Sequence, residues 1–354
     1  MEEKLKEIKT LSDVEEYQID DQRLFYSATH AEILAGLTAD VYFIKANEVL
    51  RGCQKERTEV TAEIFSRRDG ILAGTEEVYS LLKDKSIRVW ALEEGTRFSA
   101  KEVIMRIQGP YQEFGIHETA ILGILASTSG WATAAAECKE AAGDSGLLSF
   151  GARHVHPAVA PVMERAAIIG GADGASCILG AKLLHREPMG TLPHAVFLVV
   201  GDTVEVAKIY DEVLPPDAIR LILVDTFKDE AEETLRVAEA LGEKLAGVRL
   251  DTPSERGGVT PDLVREVRSR LDQGGFQHVN IFVSGGINPE RIMLLKAAGA
   301  DSFGVGSYIS GASPIDMTLD LKEVEGKAIA KRGRIPGLTP NERLKEIARW
   351  SRSE

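Results

Sequence analysis

The sequence has few cysteines, and none of them falls in a disulfide or zinc-binding pattern. Cys53, Cys138 and Cys177 are the only three in 354 residues, and they are too scattered to form a CxxC motif. This spacing excludes a disulfide framework and a cysteine-based zinc site, and it is typical of a reducing compartment.

The chain also has fewer basic than acidic residues. Lys and Arg number 42 and Asp and Glu number 55, so the net charge is 42 − 55 = −13. A general nucleic-acid-binding protein needs a net basic surface, and we therefore expect no nucleic-acid partner. Any anionic substrate must be held by local cations and backbone N–H groups.

Long apolar runs are missing as well. The first 21 residues are highly charged and contain no apolar signal region. No run approaches the ~18 apolar residues that a membrane span requires. We expect a cytoplasmic protein without a membrane partner. With 44% hydrophobic residues, the chain can fill one large or two medium domains.

Two glycine turns follow apolar strands late in the chain. The run NIFV leads into Ser284, Gly285 and Gly286, and the run DSFGVG ends on a turn that contains Gly304, Gly306 and Ser307. Glycine lets backbone N–H groups approach an anion closely. In (β/α) barrels, loops at this point commonly bind phosphate. The turns predict a phosphorylated sugar or nucleotide as ligand, although ordinary chain reversals have the same composition.

The second half of the chain reads as a βαβ series. Apolar strands are predicted at 195–200, 219–225, 247–251, 279–286 and 302–306, with amphipathic helices at 229–244 and 261–273. Nearly continuous apolar strands indicate a parallel sheet covered on both faces, in a barrel or a doubly wound fold.

The first half of the chain has a different pattern. Before Pro110, strands are broken by glycine turns without regular helices, which predicts a small antiparallel domain. A long helix beginning near Glu113 opens the second domain, and a hairpin at 323–335 is typical of the first domain.

Polar side chains lie where the predicted parallel strands end. Asp225, Arg249 and Asp251 sit at or near these carboxyl ends, as do Ser284 and Gly304. Ligands of α/β folds bind at this edge of the sheet. A single Asp there is equally well explained as a helix cap, but five polar positions in series favour a site.

The segment SFGARHVHP, at 149–157, is the densest cluster of reactive side chains. If it is extended, Arg153 faces one way, and His154 and His156 face the other. We favour anion recognition, because the arginine fork grips a carboxylate or phosphate with two hydrogen bonds. A metal site lacks an evident third ligand, and hydrogen-bonded or surface histidines are a further alternative.

Two other segments carry candidate ligand-binding side chains. Thr191 and His194 precede the predicted strand at 195–200. Tyr42 and Phe43 are suited to stacking on a flat heterocycle, and Lys45 to pairing with phosphate. A helix start capped by Thr38 explains the early segment nearly as well.

Nine stretches in order resemble nicotinate phosphoribosyltransferase, in the short bacterial and archaeal form of the type II phosphoribosyltransferases. They are GLTADVYF, SFGARHVHP, GGADGAS, GTLPHA, LVDTF, VRLDTP, VSGGI, GVGS and AKRGR. The resemblance implies an α/β fold with an N-terminal α/β sandwich domain (1–112), an irregular α/β barrel (113–310), and a C-terminal segment (311–354) that completes the first domain. It also implies a homodimer with shared active sites, in which Tyr42 serves the partner's barrel.

The reaction implied by the resemblance joins nicotinate to phosphoribosyl pyrophosphate, giving nicotinate mononucleotide and pyrophosphate. A pyridine nitrogen is already nucleophilic, so no strong general base is needed. Mg²⁺ would accompany phosphoribosyl pyrophosphate, held with ribose hydroxyls by Asp225 and Asp251. His194 matches the histidine that is phosphorylated when ATP hydrolysis drives the reaction. Arg153 and Arg249 are the candidates for the nicotinate carboxylate and the pyrophosphate.

The remaining implied contacts concern substrate binding. The 5′-phosphate would be held by the two glycine turns, and the pyrophosphate would lie near the basic tail segment. The implied substrate-binding residues are Tyr42, Phe43, Lys45, Arg153, His154, His156, Thr191, Arg249, Thr252, Ser284, Gly285, Gly286, Gly304, Gly306, Ser307, Lys331, Arg332 and Arg334.

The sequence departs from the family pattern in two places, and three alternative functions remain open. The scattered cysteines cannot build the C-terminal zinc knuckle of some archaeal relatives, so we expect no structural zinc. Lys45 stands where relatives often have Arg. A quinolinate phosphoribosyltransferase would need a denser cationic pocket. A sugar-phosphate barrel enzyme would need a strand lysine or an acid–base carboxylate, and a non-catalytic nucleotide-binding module would bind without turnover.

Overall fold

The structure is a computed structural model that describes residues 5–347. The chain forms two compact units. The first contains the described residues up to Gly130 and from Ser313 onward, and the second is Trp131–Ala312. The chain passes from one unit to the other inside a long helix. The predicted bounds of 1–112, 113–310 and 311–354 place the first boundary earlier, before that helix.

The N-terminal part of the chain alternates helices with antiparallel strands. Its elements are α1 (Leu11–Glu16), α2 (His30–Leu34), α3 (Val41–Gly52), β1 (Glu59–Ser66), β2 (Gly70–Ile71), α4 (Thr75–Leu82), β3 (Arg88–Ala91), β4 (Arg97–Phe98), β5 (Val103–Pro110) and the long helix α5 (Glu118–Ala142). Helix α4 lies between strands where we predicted no regular helix. It buries Val78, Leu81 and Leu82 on one face, at the spacing of an amphipathic helix.

The parallel unit follows. Its elements are β6 (Gly146–Ser149), α6 (Ala160–Ile169), β7 (Gly174–Ala175), α7 (Ile178–Lys182), α8 (His194–Val200), α9 (Thr203–Val213), β8 (Leu221–Leu223), α10 (Glu230–Leu241), β9 (Gly247–Leu250), α11 (Pro261–Gln273), β10 (Asn280–Val283), α12 (Pro289–Ala297), β11 (Ser302–Val305) and α13 (Ser307–Ser310). The tail adds β12 (Met317–Val324), β13 (Lys327–Ala328) and β14 (Lys345–Glu346).

The main sheet of the first unit is antiparallel and depends on the tail. Its order is β13-β12-β1-β5-β3-β14, so tail strands form both edges. Strand β12 pairs with β1, with Ile64 opposite Leu319, and β14 pairs with β3. The core beneath it contains fully buried side chains such as Ile64, Met105 and Ile107. The predicted completion of this domain by the C-terminal segment is confirmed.

The sheet of the second unit is parallel throughout. Its order is β7-β6-β11-β10-β9-β8, and it curls into a half-barrel. Central side chains such as Leu147, Val248, Ile281 and Phe303 are fully buried, as expected for strands covered on both faces. The predicted fold class is therefore confirmed. Parallel pairing brings the carboxyl ends of these strands to one edge, where the polar residues lie.

One predicted strand is wrong. Residues 195–200 are part of helix α8, which starts immediately after Pro193. Only Phe197 is buried, whereas Leu198 and Val199 are 63% and 86% exposed. A run of six apolar residues carries no periodicity that separates a strand from a short helix, and proline before the run favours a helix start.

One segment satisfies the length and composition of a membrane span. Gly115–Ala142 does so by those two criteria alone, and 44% of an 18-residue apolar stretch within it is buried. Core helices of soluble proteins meet the same criteria. Ile121 and Leu125 of this segment pack in the core of the first unit.

Candidate active site

A cavity of about 360 Å³ opens at the carboxyl edge of the parallel sheet. This volume falls within the usual range for a small-molecule site. The lining residues all belong to the second unit. They are Phe150, Ala152, Arg153, His154, Ser176, Gly190, Thr191, Arg249, Asp251, Ser284, Gly285, Gly286, Gly304, Gly306 and Ser307.

Arg249 is held rigidly in this cavity. Its Nε donates to Ser284 Oγ at 2.8 Å, its Nη1 to Thr191 Oγ1 at 2.7 Å, and its Nη2 to Asp251 Oδ2 at 2.9 Å. The guanidinium also lies over the ring of Phe150, at 5.5 Å from the centroid. A guanidinium has five N–H groups, so two remain for a ligand. The fork is pre-organised for one planar anion.

The glycine turn after β10 offers backbone donors to the same cavity. Gly285 and Gly286 have φ of +88° and +63°, which only glycine adopts without strain. Among the described residues, their N–H groups have no hydrogen-bond partner. A Cβ on Gly285 would lie 3.1 Å from Asp251 Oδ1. The turn therefore needs glycine both for its conformation and for its close packing against the carboxylate.

The second glycine turn follows β11 and is packed by aromatic rings. A Cβ on Gly304 would lie 2.6 Å from the ring of Phe150, and one on Gly306 would lie 2.8 Å from the ring of His154. Glycine at these positions lets both rings approach the turn.

The segment that carries Arg153 and His154 is not extended. Ala152–His154 form a single 3₁₀ turn, and both predicted side chains line the cavity. The extended chain on which Arg153 and His154 would face opposite ways is therefore not formed. His154 Nδ1 lies 3.1 Å from Ser310 Oγ. His156 is exposed, and its Nδ1 accepts from the N–H of Ala158 at 3.1 Å.

His194 and Asp225 form a pair outside the set of lining residues. His194 Nε2 lies 3.1 Å from Asp225 Oδ2, and the side chains are 40% and 1% exposed. Burial raises the pKa of Asp225, and His194 opposes that shift. Asp225 Oδ1 is buried without a hydrogen-bond partner in the described part of the chain. Because its other oxygen is joined to the half-buried imidazole, Asp225 is placed to orient His194.

Two predicted residues of the first unit line a different cavity, of about 280 Å³. Tyr42 and Phe43 line it together with Glu118. Tyr42 is 59% exposed and Phe43 only 7%, so Tyr42 has the more accessible ring. Burial and Asp320 raise the pKa of Glu118 to about 7, against the opposing effect of Lys331. This cavity is more acidic than the one around Arg249.

The remaining predicted residues of the first unit lie at its surface. Arg334 pairs with Asp320 at 2.8 Å, and Lys331 lies 3.6 Å from the same carboxylate. Lys45 and Arg332 are exposed. Asp40, rather than Thr38, occupies the N-cap of α3, and it makes no capping hydrogen bond through its side chain. The alternative of a Thr38 cap is therefore wrong.

Several residues near the cavity escaped prediction. Phe150, Ala152, Ser176 and Gly190 lie within motifs that the sequence marks, but they were not selected as binding residues. Glu164, in the middle of α6, is fully buried and hydrogen-bonded beneath the cavity. A single Glu in a helix gives no sequence signal that it points inward. Thr252, which was selected, donates to Glu230 Oε1 at 2.8 Å.

The fold and the cavity define a class of protein. A parallel α/β half-barrel carries, at the carboxyl edge of its strands, glycine turns with free N–H groups and an immobilised arginine. Such a site is suited to a ligand that combines phosphate with a second anionic group.

The chain belongs to the quinolinate phosphoribosyl transferase family. Residues 40–129 match the N-terminal domain of this family, and residues 131–320 match its C-terminal domain. The type II phosphoribosyltransferase class predicted from the motifs is thereby confirmed. Whether nicotinate or quinolinate is the substrate is a finer distinction, on which the known relatives divide.

Among solved structures, the crystal structure of nicotinate-nucleotide pyrophosphorylase from Pyrococcus furiosus is 46% identical, with a TM-score of 0.86. The match covers 90% of this chain and 82% of that one. Human nicotinic acid phosphoribosyltransferase, at 20% identity and a TM-score of 0.67, shares the fold.

Among curated proteins, nicotinate phosphoribosyltransferase of Bacillus subtilis (strain 168) is 32% identical over 225 residues, which are 62% of this chain and 45% of the relative. The chain thus spans about half the length of such relatives. The probable carboxylating nicotinate-nucleotide pyrophosphorylase of Methanothermobacter thermautotrophicus is 26% identical, over 75% of this chain and 89% of its own length.

Proposed function

We propose that this protein transfers the phosphoribosyl group of phosphoribosyl pyrophosphate to nicotinate, releasing nicotinate mononucleotide and pyrophosphate. The observation that carries the proposal is the immobilised Arg249, which shares one cavity with the free N–H groups of Gly285 and Gly286. One anionic group of the complex would lie on the arginine fork, and the 5′-phosphate would lie on the glycine turn.

The charge of the lining favours an acceptor with one carboxylate. Arg153 and Arg249 contribute two positive charges and Asp251 one negative charge, which leaves +1 with His154 neutral. One of the N–H groups of Arg249 is also hydrogen-bonded to Asp251. Quinolinate carries two carboxylates, and phosphoribosyl pyrophosphate is itself highly anionic. A second acceptor carboxylate would have no dedicated cation in this lining.

The chemistry needs positioning more than proton transfer. The pyridine nitrogen attacks the ribose C1 as the bond to pyrophosphate breaks, and positive charge develops on the sugar ring. Asp251 faces the cavity and is placed to stabilise that charge. Mg²⁺ would enter with phosphoribosyl pyrophosphate as part of the substrate, where it would neutralise charge on the leaving group. Because Asp225 is held by His194 and buried, we assign it to orienting the imidazole.

ATP coupling through His194 is part of the proposal. The imidazole is half-buried and its Nε2 faces Asp225, so one ring nitrogen remains for another partner. We also propose a cytoplasmic location.

A second candidate function is quinolinate phosphoribosyl transfer with decarboxylation, which is favoured by the likeness to the probable carboxylating enzyme of Methanothermobacter thermautotrophicus.

We also propose that the active unit is a homodimer with shared sites. Tyr42, Lys331 and Arg334 belong to the first unit. Tyr42 lines its acidic cavity, and Lys331 and Arg334 lie beside Asp320. In the proposed dimer this surface completes the partner's barrel. Mixing the variants Tyr42→Ala and Arg249→Ala should restore activity that neither has alone, because one hybrid site is then intact. No recovery on mixing would contradict shared sites.

The test of the function is product formation followed by mass spectrometry. Phosphoribosyl pyrophosphate and Mg²⁺ are offered with nicotinate, nicotinamide or quinolinate, each with and without ATP. We expect the mononucleotide from nicotinate, and the effect of ATP settles coupling. Product from quinolinate with release of CO₂ would favour the second candidate. No product from any base would refute phosphoribosyl transfer to a pyridine.

A further inference from the structure

Beneath the cavity lies a buried carboxylate that the proposed reaction does not use. Glu164 projects from the middle of α6 and is completely shielded from solvent. Burying a carboxylate costs folding free energy unless hydrogen-bond donors surround it. A helix that only packs against its neighbours would carry an apolar residue at such a position.

The donors to Glu164 come from two separate segments. Oε1 accepts from the N–H of Ala152 at 3.2 Å and from Ser176 Oγ at 3.4 Å, and it lies 3.5 Å from Ser149 Oγ. Oε2 accepts from the N–H of Cys177 at 2.6 Å. One side chain therefore joins the end of β6 and its following turn to the start of α7.

Both of these segments line the cavity. The turn after β6 presents Arg153 and His154, and the segment before α7 presents Ser176. The turn has no capping side chain of its own, and neither has the start of α7. Glu164 supplies acceptors to both. Its position decides where the backbone of the Arg153 turn lies relative to Ser176.

We infer that Glu164 is a positioning residue: it fixes the turn that carries Arg153 and His154 in the geometry that binds phosphoribosyl pyrophosphate. The inference rests on the proposed function only in its choice of ligand. Glu164 itself touches no substrate. Burial raises the pKa of its carboxyl, while the surrounding N–H and O–H donors oppose that shift.

The substitution Glu164→Gln keeps the shape but turns one acceptor into a donor, which then faces a backbone N–H. The matched control is Glu233→Gln, since Glu233 is also fully buried in the second unit but pairs with Arg236, away from the cavity lining. We expect Glu164→Gln to weaken binding of phosphoribosyl pyrophosphate by about tenfold or more, because small displacements of binding groups have large effects. Glu233→Gln should bind as the wild type does.

Calorimetry with magnesium phosphoribosyl pyrophosphate measures this directly, and thermal unfolding reports folding. KM for the same ligand should rise while kcat changes less. Unchanged affinity in folded Glu164→Gln, or an equal loss in Glu233→Gln, overturns the inference. Should Glu164→Gln fail to fold, Glu164→Asp keeps the charge and shortens the side chain by one methylene. It should weaken binding, and wild-type affinity in that variant overturns the inference too.

Binding is read without any acceptor base, so the two proposals can be separated. A wild type that binds phosphoribosyl pyrophosphate but does not use nicotinate refutes the proposed acceptor and leaves Glu164 under test. A wild type that does not bind phosphoribosyl pyrophosphate overturns both.

Discussion

Replacing Arg249 by lysine is the sharpest test of how this site recognises its acceptor. The lysine keeps the positive charge but loses the planar fork that Ser284, Thr191 and Asp251 hold in place. An ammonium presents a point charge and cannot reproduce two parallel hydrogen bonds to a carboxylate. The substitution therefore separates the geometry of the guanidinium from its charge.

The expected loss follows from the two N–H groups that Arg249 keeps for a ligand. A hydrogen bond to a charged group contributes about 1.5–3 kcal/mol. If the introduced lysine recovers one of the two, the net loss is about 1.5–3 kcal/mol, which corresponds to roughly 10- to 150-fold. Alanine recovers neither bond and leaves Asp251 unpaired, so Arg249→Ala should abolish use of nicotinate.

The assay compares kcat/KM for nicotinate with kcat/KM for nicotinamide. Nicotinamide has no carboxylate, so Arg249→Lys should change its use much less, and the nicotinate preference should fall by most of the predicted factor. Thr191→Val is the matched control, because it removes one support of the fork and leaves the guanidinium; it should cost about tenfold or less. An unchanged preference in Arg249→Lys would refute carboxylate recognition by Arg249.

Three further predictions follow from the same structure. Gly285→Val should abolish phosphoribosyl pyrophosphate binding in calorimetry, because φ is +88° and a Cβ would meet Asp251. Gly286→Ala should bind this ligand more tightly than Gly285→Val does, because a Cβ at Gly286 meets nothing within 4 Å. Equal affinity in the two variants would contradict the steric argument. Asp225→Asn should remove most of the stimulation of kcat by ATP and leave KM for nicotinate near its wild-type value, because it alters the orientation of His194; wild-type stimulation by ATP would exclude that role. Burial and Asp320 raise the pKa of Glu118 from 4.5 to about 7, so the folded state binds the proton more tightly and wild-type stability should fall as pH rises through that window. Glu118→Gln should remove this fall. Once solvent screening is allowed for, the variant's free energy of unfolding at pH 8, measured with denaturant, should exceed that of the wild type by about 1–3 kcal/mol. An identical dependence of stability on pH in wild type and variant would refute the raised pKa.

The parallel sheet was predictable because its strands are simple in sequence. β8 to β11 are short runs made mostly of apolar residues, and central side chains such as Ile222, Val248, Ile281 and Phe303 are fully buried. Short apolar runs are ambiguous, however, as the helix at 194–200 demonstrates. Helix α4 was missed although Val78, Leu81 and Leu82 have helical spacing, because it lies in a segment dominated by strands.

The candidate site was predictable where it depends on strand ends and glycine turns. Parallel pairing alone brings Arg249, Asp251 and Ser284 together, because the carboxyl ends of neighbouring strands share one edge. The segment that carries Arg153 forms a 3₁₀ turn, in which side chains do not alternate, and its sequence does not distinguish this turn from an extended chain. Glu164 was beyond prediction, since its role depends on two segments that only the folded chain brings to α6.

The charge of the chain explains why the site is built in this way. The proposed substrate of this chain, whose net charge is −13, is a polyanion, yet the cavity lining carries only two arginines against Asp251. Free backbone N–H groups attract phosphate without adding a formal charge, and they work only if the turns that hold them are rigid. Rigidity here comes from supporting side chains: Ser284 and Thr191 hold Arg249, and Glu164 holds the Arg153 turn. Selectivity in such a site resides in the geometry of its supports more than in the number of its cations.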